Sequence, residues 1–160
     1  MTGKELVLAA FRRETTPRVP WVPFVGVHGG FLIGMPAHEY LRSAEAIVRG
    51  QLMAAELYRP DGLPVVFDLQ VEAEALGCRL AWAEDVPPSV VSHPLETLAD
   101  ITALPELPFD AGRFPVIAAA TRGLVEKAGA GLALYGLITG PFTLLSHLRG
   151  SELFLDLLTD

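Results

Sequence analysis

Asp68, Glu72 and Glu74 are three carboxylates inside a seven-residue stretch that begins where an apolar run stops. Val65, Val66 and Phe67 are β-favouring and follow the turn signal Arg59-Pro60-Asp61-Gly62. An acid just beyond a buried strand sits at the strand's mouth, where α/β folds keep their chemistry. There it could gather N–H donors, or stabilise positive charge developing on a bound group. The same placement would let Asp68 cap the following turn instead. Glu72 and Glu74 read as a solvated loop face, or as acceptors for a polar substrate group. His28 reads equally as a pocket residue or a packed or solvated histidine. His147, on a predicted helix, reads first as a satisfied buried side chain. His38 and His93 read as surface or capping residues. Cys78 is the only cysteine; it excludes an internal disulfide and reads as a small buried side chain rather than a ligand.

Positioning these groups requires an α/β frame. Thr2 and Glu5 form a capping box, so a first helix is predicted from there to about Glu14. Trp21 to Val27 reads as a strand, Pro36 to Leu41 as a short helix, and Ser43 caps a longer helix to about Tyr58 with Val48, Leu52 and Ala55 inward. Leu63 to Phe67 is the next strand, followed by an acidic loop. Arg79–Ala83 and Ser89–Ser92 read as a surface hairpin, and Leu95–Ala99 as a helical turn. A helix over Arg113–Ala128 carries a stripe of Phe114, Ile117, Ala118, Thr121, Leu124 and Val125. Leu132–Ile138 reads as a buried strand, with helices over Pro141–Leu148 and Ser151–Leu158 after it. Gly140-Pro141 at a helix start allows a phosphate-binding reading, but no glycine-rich loop surrounds it and a tight strand-to-helix turn is preferred.

The 160 residues are 51% apolar and 19% charged, enough for one core and incompatible with disorder. A net charge of −7 and a pI near 5.0 argue against nucleic acid or an anionic membrane as partner. The apolar runs fall short of the roughly 18 residues a membrane span needs, so a cytoplasmic protein of one domain, 1–160, is expected.

Three segments occur in a telling order: Arg18-Val19-Pro20-Trp21-Val22-Pro23, then Phe67-Asp68 with Glu74-Ala75-Leu76-Gly77, then Thr139-Gly140-Pro141-Phe142-Thr143-Leu144-Leu145-Ser146-His147-Leu148. In this order the chain resembles the uroporphyrinogen decarboxylase superfamily, which includes the methylcobamide:thiol methyltransferases. The resemblance runs along nearly the whole chain, yet spans about the first half of such a protein. It implies an α/β fold that is the N-terminal half of a (β/α)8 TIM-type barrel with an added short β-hairpin. A full barrel needs about 250 residues. An open parallel half-barrel must be covered, by a second copy or by a missing C-terminal half.

The resemblance also implies roles. Asp68 falls where the decarboxylase keeps the aspartate that bonds its substrate's pyrrole N–H groups, and it is the expected catalytic residue. The two arginines that clamp substrate carboxylates in the decarboxylase fall on Phe24 and His28, and its tyrosine falls on His147. None of these makes a bidentate carboxylate clamp. The expectation therefore leans to the corrinoid-dependent methyltransferase branch, with Phe24, His28, Glu72 and His147 facing substrate and a corrinoid protein or tetrapyrrole-like molecule as partner. In that branch zinc binds the thiol acceptor through a His-x-Cys pair and a later cysteine. No His-x-Cys occurs here, so no metal ligand or bound cofactor is assigned to this chain. The alternatives are a decarboxylase of tetrapyrrole biosynthesis, and a non-catalytic, self-associating binding module.

Overall fold

The computed structural model describes residues 1–159. Its elements are α1 (Gly3–Phe11), α2 (His28–Leu32), α3 (Ala37–Tyr40), α4 (Ala44–Tyr58), β1 (Gly62–Pro64), α5 (Val71–Ala75), β2 (Leu80–Ala81), β3 (Ser89–Val90), a 3-10 helix (Leu98–Ala103), α6 (Phe114–Ala128), β4 (Ala133–Tyr135), α7 (Pro141–Arg149) and α8 (Glu152–Thr159).

The Thr2 hydroxyl accepts from the Glu5 amide at 3.2 Å, and Glu5 returns a bond to the Thr2 amide at 2.7 Å, so the capping box forms. α1 stops at Phe11, short of Glu14, because Arg13 turns left-handed at φ 59°. Its amide and that of Glu14 then close on Ala10 and Ala9. Ser43 caps α4 through the Ala46 amide at 3.2 Å. The inward face of α4 is Ile47, Val48, Gln51 and Ala54; Leu52 and Ala55 are only half-buried, a rotation away from the predicted stripe. In α6 the buried positions are Ala120 and Leu124, while Val125 is 54% exposed.

β1 and β4 pair in parallel, Leu63 opposite Leu134, and the Val65 amide extends the ladder to the Tyr135 carbonyl at 3.0 Å. A parallel pair needs a long crossover, here filled by α5, the hairpin and α6. β2 and β3 pair antiparallel, as the hairpin reading expected. Four expectations are corrected. Trp21–Val25 runs without regular structure and joins no ladder, and Gly26 and Val27 turn into α2; Pro20 and Pro23 lack amide donors, and at the start of the segment the Trp21 carbonyl accepts from the Asp61 amide at 2.9 Å. The acidic loop is a helix, α5. The predicted Leu132–Ile138 strand is three residues of half-buried backbone, with Ile138 84% exposed. The helical turn expected at Leu95–Ala99 lies three residues later, where Thr97 and Asp100 make a capping box.

The main core joins Tyr40, Leu41, Ile47, Val48, Val65, Val66 and Leu124. Each such large side chain contributes about 1.5–3 kcal/mol by leaving water. α1 closes the N-terminal end of the strands, its Lys4 amide bonding the Gly131 carbonyl at 2.9 Å. The C-terminal ends of β1 and β4 are thereby left as the open end.

Asp61, at the start of β1, shows how tightly the closed end is tied. Arg18 grips it with a fork, at 2.5 and 2.7 Å, and the Trp21 amide adds a bond at 2.8 Å. The Arg18 fork holds this carboxyl below its ordinary value of 3.8; burial opposes that shift and the Trp21 amide adds to it. A depressed folded-state pKa stabilises above the unfolded value and is lost as pH falls through the folded one. Asp61→Asn is therefore expected to flatten the loss of urea stability between about pH 5 and pH 2.5. An unchanged slope in the variant would show that Asp61 is not a source of the acid sensitivity.

Candidate functional site at the strand mouths

Because β1 and β4 run parallel, the residues that follow them emerge on one side. Val65 and Val66 are buried, so the chain reaches Asp68 already packed, and the Asp68 side chain is fully enclosed. Its Oδ1 accepts from the Gln70 amide at 2.8 Å, and its Oδ2 from Arg113 Nη1 at 2.5 Å. Arg113 comes from the residue that begins α6, 45 positions away. Its Nε donates to Glu74 Oε2 at 2.6 Å, so one buried guanidinium bridges two carboxylates. Burial works against that charge, but the bonds to Asp68 and Glu74 more than offset it and hold Arg113 above the ordinary arginine value. The guanidinium also lies 4.8 Å from the ring centre of Trp82, on which Arg42 rests at 3.9 Å, tying the hairpin to the site.

Glu72 is buried, against the solvated-loop reading. The Thr139 amide donates to its Oε1 at 3.1 Å and the Thr139 hydroxyl to its Oε2 at 2.8 Å. This joins α5 to the end of β4. His147, one helix further on, is half-buried, and its Nε2 is buried without a partner, so it is not the satisfied side chain expected. Burial lowers its pKa and His93 adds to this, while Asp68 and Glu72 pull the other way. His93 donates from Nδ1 to the His147 carbonyl at 2.7 Å when that nitrogen carries the proton, a capping role as read.

Asp68, Glu72 and His147 thus share one polar cluster. Phe24 is 69% exposed and lies on Phe67, ring centres 4.7 Å apart, beside Asp68 in the chain. His28 stands apart: its Nε2 is 2.7 Å from the Tyr58 hydroxyl, and its ring stacks near Phe31 and Tyr58. A cleft of about 390 Å³ separates it from Glu84 and Asp85 of the hairpin. A larger apolar cleft, about 530 Å³, runs past α1, Phe24, Val125 and Tyr135 at the free edge of β4.

Sequence reasoning missed Arg113, Thr139 as the partner of Glu72, and Trp82. Thr139 lay within a segment singled out for its motif; Arg113 carried no local signal beyond preceding a helix. The zinc expected in full-length thiol methyltransferases does not fit these residues. Cys78 is buried, its thiol is pushed up to about 11 by that burial, and it faces the His147 carbonyl at 3.5 Å. Among the described residues no three of His, Cys, Asp or Glu converge as metal ligands would.

Residues 2–160 match the family model described as uroporphyrinogen decarboxylase (URO-D). Methylcobamide:CoM methyltransferase MtbA of Methanosarcina mazei is 31% identical over 164 residues, covering 99% of this chain and 48% of that protein. A uroporphyrinogen decarboxylase of Nocardioides sp. is 33% identical over 151 residues, covering 88% of this chain and 41% of that one. The solved structure of a methyltransferase from Methanosarcina mazei superposes with a TM-score of 0.86 at 28% identity, covering 98% of this chain and 48% of the other. The chain spans about half the length of the curated relatives it matches. The α/β architecture, with its parallel pair and added hairpin, is accordingly that of a partial (β/α)8 barrel.

Proposed function

This chain belongs to the uroporphyrinogen decarboxylase family, and from that premise we infer that it forms the N-terminal half of a cytoplasmic, corrinoid-dependent methyltransferase. The complete barrel would move a methyl group from a methyl-corrinoid, which would supply the activated methyl, to a thiol-type acceptor. No zinc ligand is assigned here, so activation of the thiol belongs outside these residues.

One observation carries this reading. Where a carboxylate-clamping arginine would be needed to hold a poly-carboxylate tetrapyrrole, Phe24 presents an exposed ring backed by Phe67. A broad apolar macrocycle face suits that surface; carboxylate side arms do not. Behind that ring the enclosed Asp68 and the buried Glu72 brace the polar side of the mouth, with His147 beside them and His28 on the outer aromatic rim. Helices long and apolar enough to cross a membrane do not occur among the described residues.

Titration of the purified chain with methylcobalamin, followed by absorption, tests the reading. Saturable spectral change is expected, weakened about tenfold by Phe24→Arg, with no demethylation by coenzyme M from this chain alone. A response to uroporphyrinogen and none to methylcobalamin would overturn it in favour of the decarboxylase reading, which the Nocardioides relative supports. Steady demethylation by the chain alone would overturn the assignment of the thiol site elsewhere.

A further inference from the structure

The cleft between α2 and the hairpin has two unlike walls. One is aromatic. Phe31 is 76% exposed and its ring stacks on His28 at 5.7 Å and 19°, with Tyr58 continuing the row at 5.8 Å and 28°. The other is acidic: Glu84 and Asp85 line the far side of the space, which is about 390 Å³. Both carboxylates are exposed, and neither enters an ion pair among the described residues. No lysine or arginine lies between Arg79 and Arg113, so the crossover that carries them supplies no cation of its own.

The two walls are held in place from within the chain. α2 is seated on α4, with Gly29 against Gly50 and Tyr40, and the His28 ring is pinned by the Tyr58 hydroxyl at 2.7 Å. The Glu84 carbonyl accepts from the Ala37 amide at 2.6 Å, and Trp82, two residues earlier, is held by Arg42. A wall that needs no rearrangement loses little binding energy to ordering. An aromatic face attracts a cation through its ring quadrupole and also shelters an alkyl chain. Carboxylates opposite it would accept the N–H groups of that cation, whereas they would repel an anion.

We propose that this cleft is a binding site for an alkylammonium group, its carbon chain on Phe31 and His28 and its nitrogen towards Glu84 and Asp85. Asp68 is not among the lining residues, and the site does not depend on a methyl-corrinoid being bound. The group belongs either to a free amine or to a lysine side chain on a partner protein.

Amide NMR of the isotope-labelled chain, titrated with n-butylammonium, reads the site residue by residue. Saturable shifts are expected at His28, Phe31, Glu84 and Asp85 in the millimolar range, with n-butanol, the uncharged isostere, at least about tenfold weaker. Glu84→Gln combined with Asp85→Asn is expected to weaken butylammonium about tenfold. Phe31→Leu, which keeps an apolar surface without the ring, is expected to weaken it about threefold. A lysine-containing tripeptide that binds about tenfold tighter than butylammonium would assign the group to a partner protein. A tripeptide that binds no tighter would assign it to a free amine, and either result supports the site. The absence of saturable shifts would overturn the proposal, as would equal binding of butanol or undiminished binding in the doubly neutralised variant. Equal shifts at Glu96 and Asp100, exposed acids of the same crossover outside the cleft, would also overturn it, because they report general counter-ion attraction.

Discussion

Replacing Arg113 with methionine is expected to cost about 3–5 kcal/mol of folding stability, read as a fall in the urea midpoint. The size follows from where the charges are. The Arg113 side chain is 5% exposed and that of Asp68 is wholly enclosed, so neither partner regains water when the other is removed. A surface pair would contribute at most about 1 kcal/mol, because solvent screens it. Methionine fills much of the same volume, so the loss reports an uncompensated carboxylate more than a cavity. Adding Asp68→Asn to Arg113→Met should recover part of the loss, since the wholly enclosed charge is then gone and only the part-exposed Glu74 is left without its partner. A loss below about 1 kcal/mol in the single variant would mean that water reaches Asp68 and that the pair is not a buried one.

Gly50→Ala is expected to destabilise by about 3 kcal/mol, although Gly50 lies inside α4, where alanine is the better helix former by about 1 kcal/mol. The sign is decided by packing. A Cβ at position 50 would meet the Gly29 carbonyl oxygen at 2.5 Å and a ring carbon of Tyr40 at 2.7 Å. The first is backbone and cannot rotate aside, so α2 would have to lift from α4. That lift would disturb His28 at the start of α2 and loosen Tyr40, which is wholly buried in the main core. Gly131→Ala is the control, because a Cβ there meets nothing within 4 Å. It should change stability by no more than about 1 kcal/mol, in the stabilising direction if at all. Comparable losses in both variants would indicate that glycine conformation, and not contact between α2 and α4, governs the effect.

These two residues mark where reading along the chain stopped. The Thr2–Glu5 box, the Ser43 cap and the spans of α4 and α6 were legible, since each depends on residues within a few positions of one another. The hairpin was legible for the same reason. The strand at Trp21–Val27 was overcalled: its apolar run suited a ladder, but a strand exists only through a partner, and the prolines withheld the donors. The faces of α4 and α6 were misjudged by a fraction of a turn, because Gly50 and Gly123 let neighbouring elements approach closely and moved the contact line.

Of the candidate site, sequence alone determined the family, the half-barrel architecture, and the presence of an acid directly after a buried strand. The family follows from the ordered set of motifs, the half-barrel from what that resemblance implies, and the acid's place from residue type and short-range spacing. Only the tertiary structure decided what the acids do. Asp68 meets Arg113 across 45 positions, Glu74 meets it across 39, and Glu72 meets Thr139 across 67. Carboxylates that would be a solvated face on an isolated loop become a buried, cross-linked cluster once β1 and β4 lie side by side. The parallel pairing brings both strand ends to one place, and burial there makes each unpaired charge costly enough to require its partner.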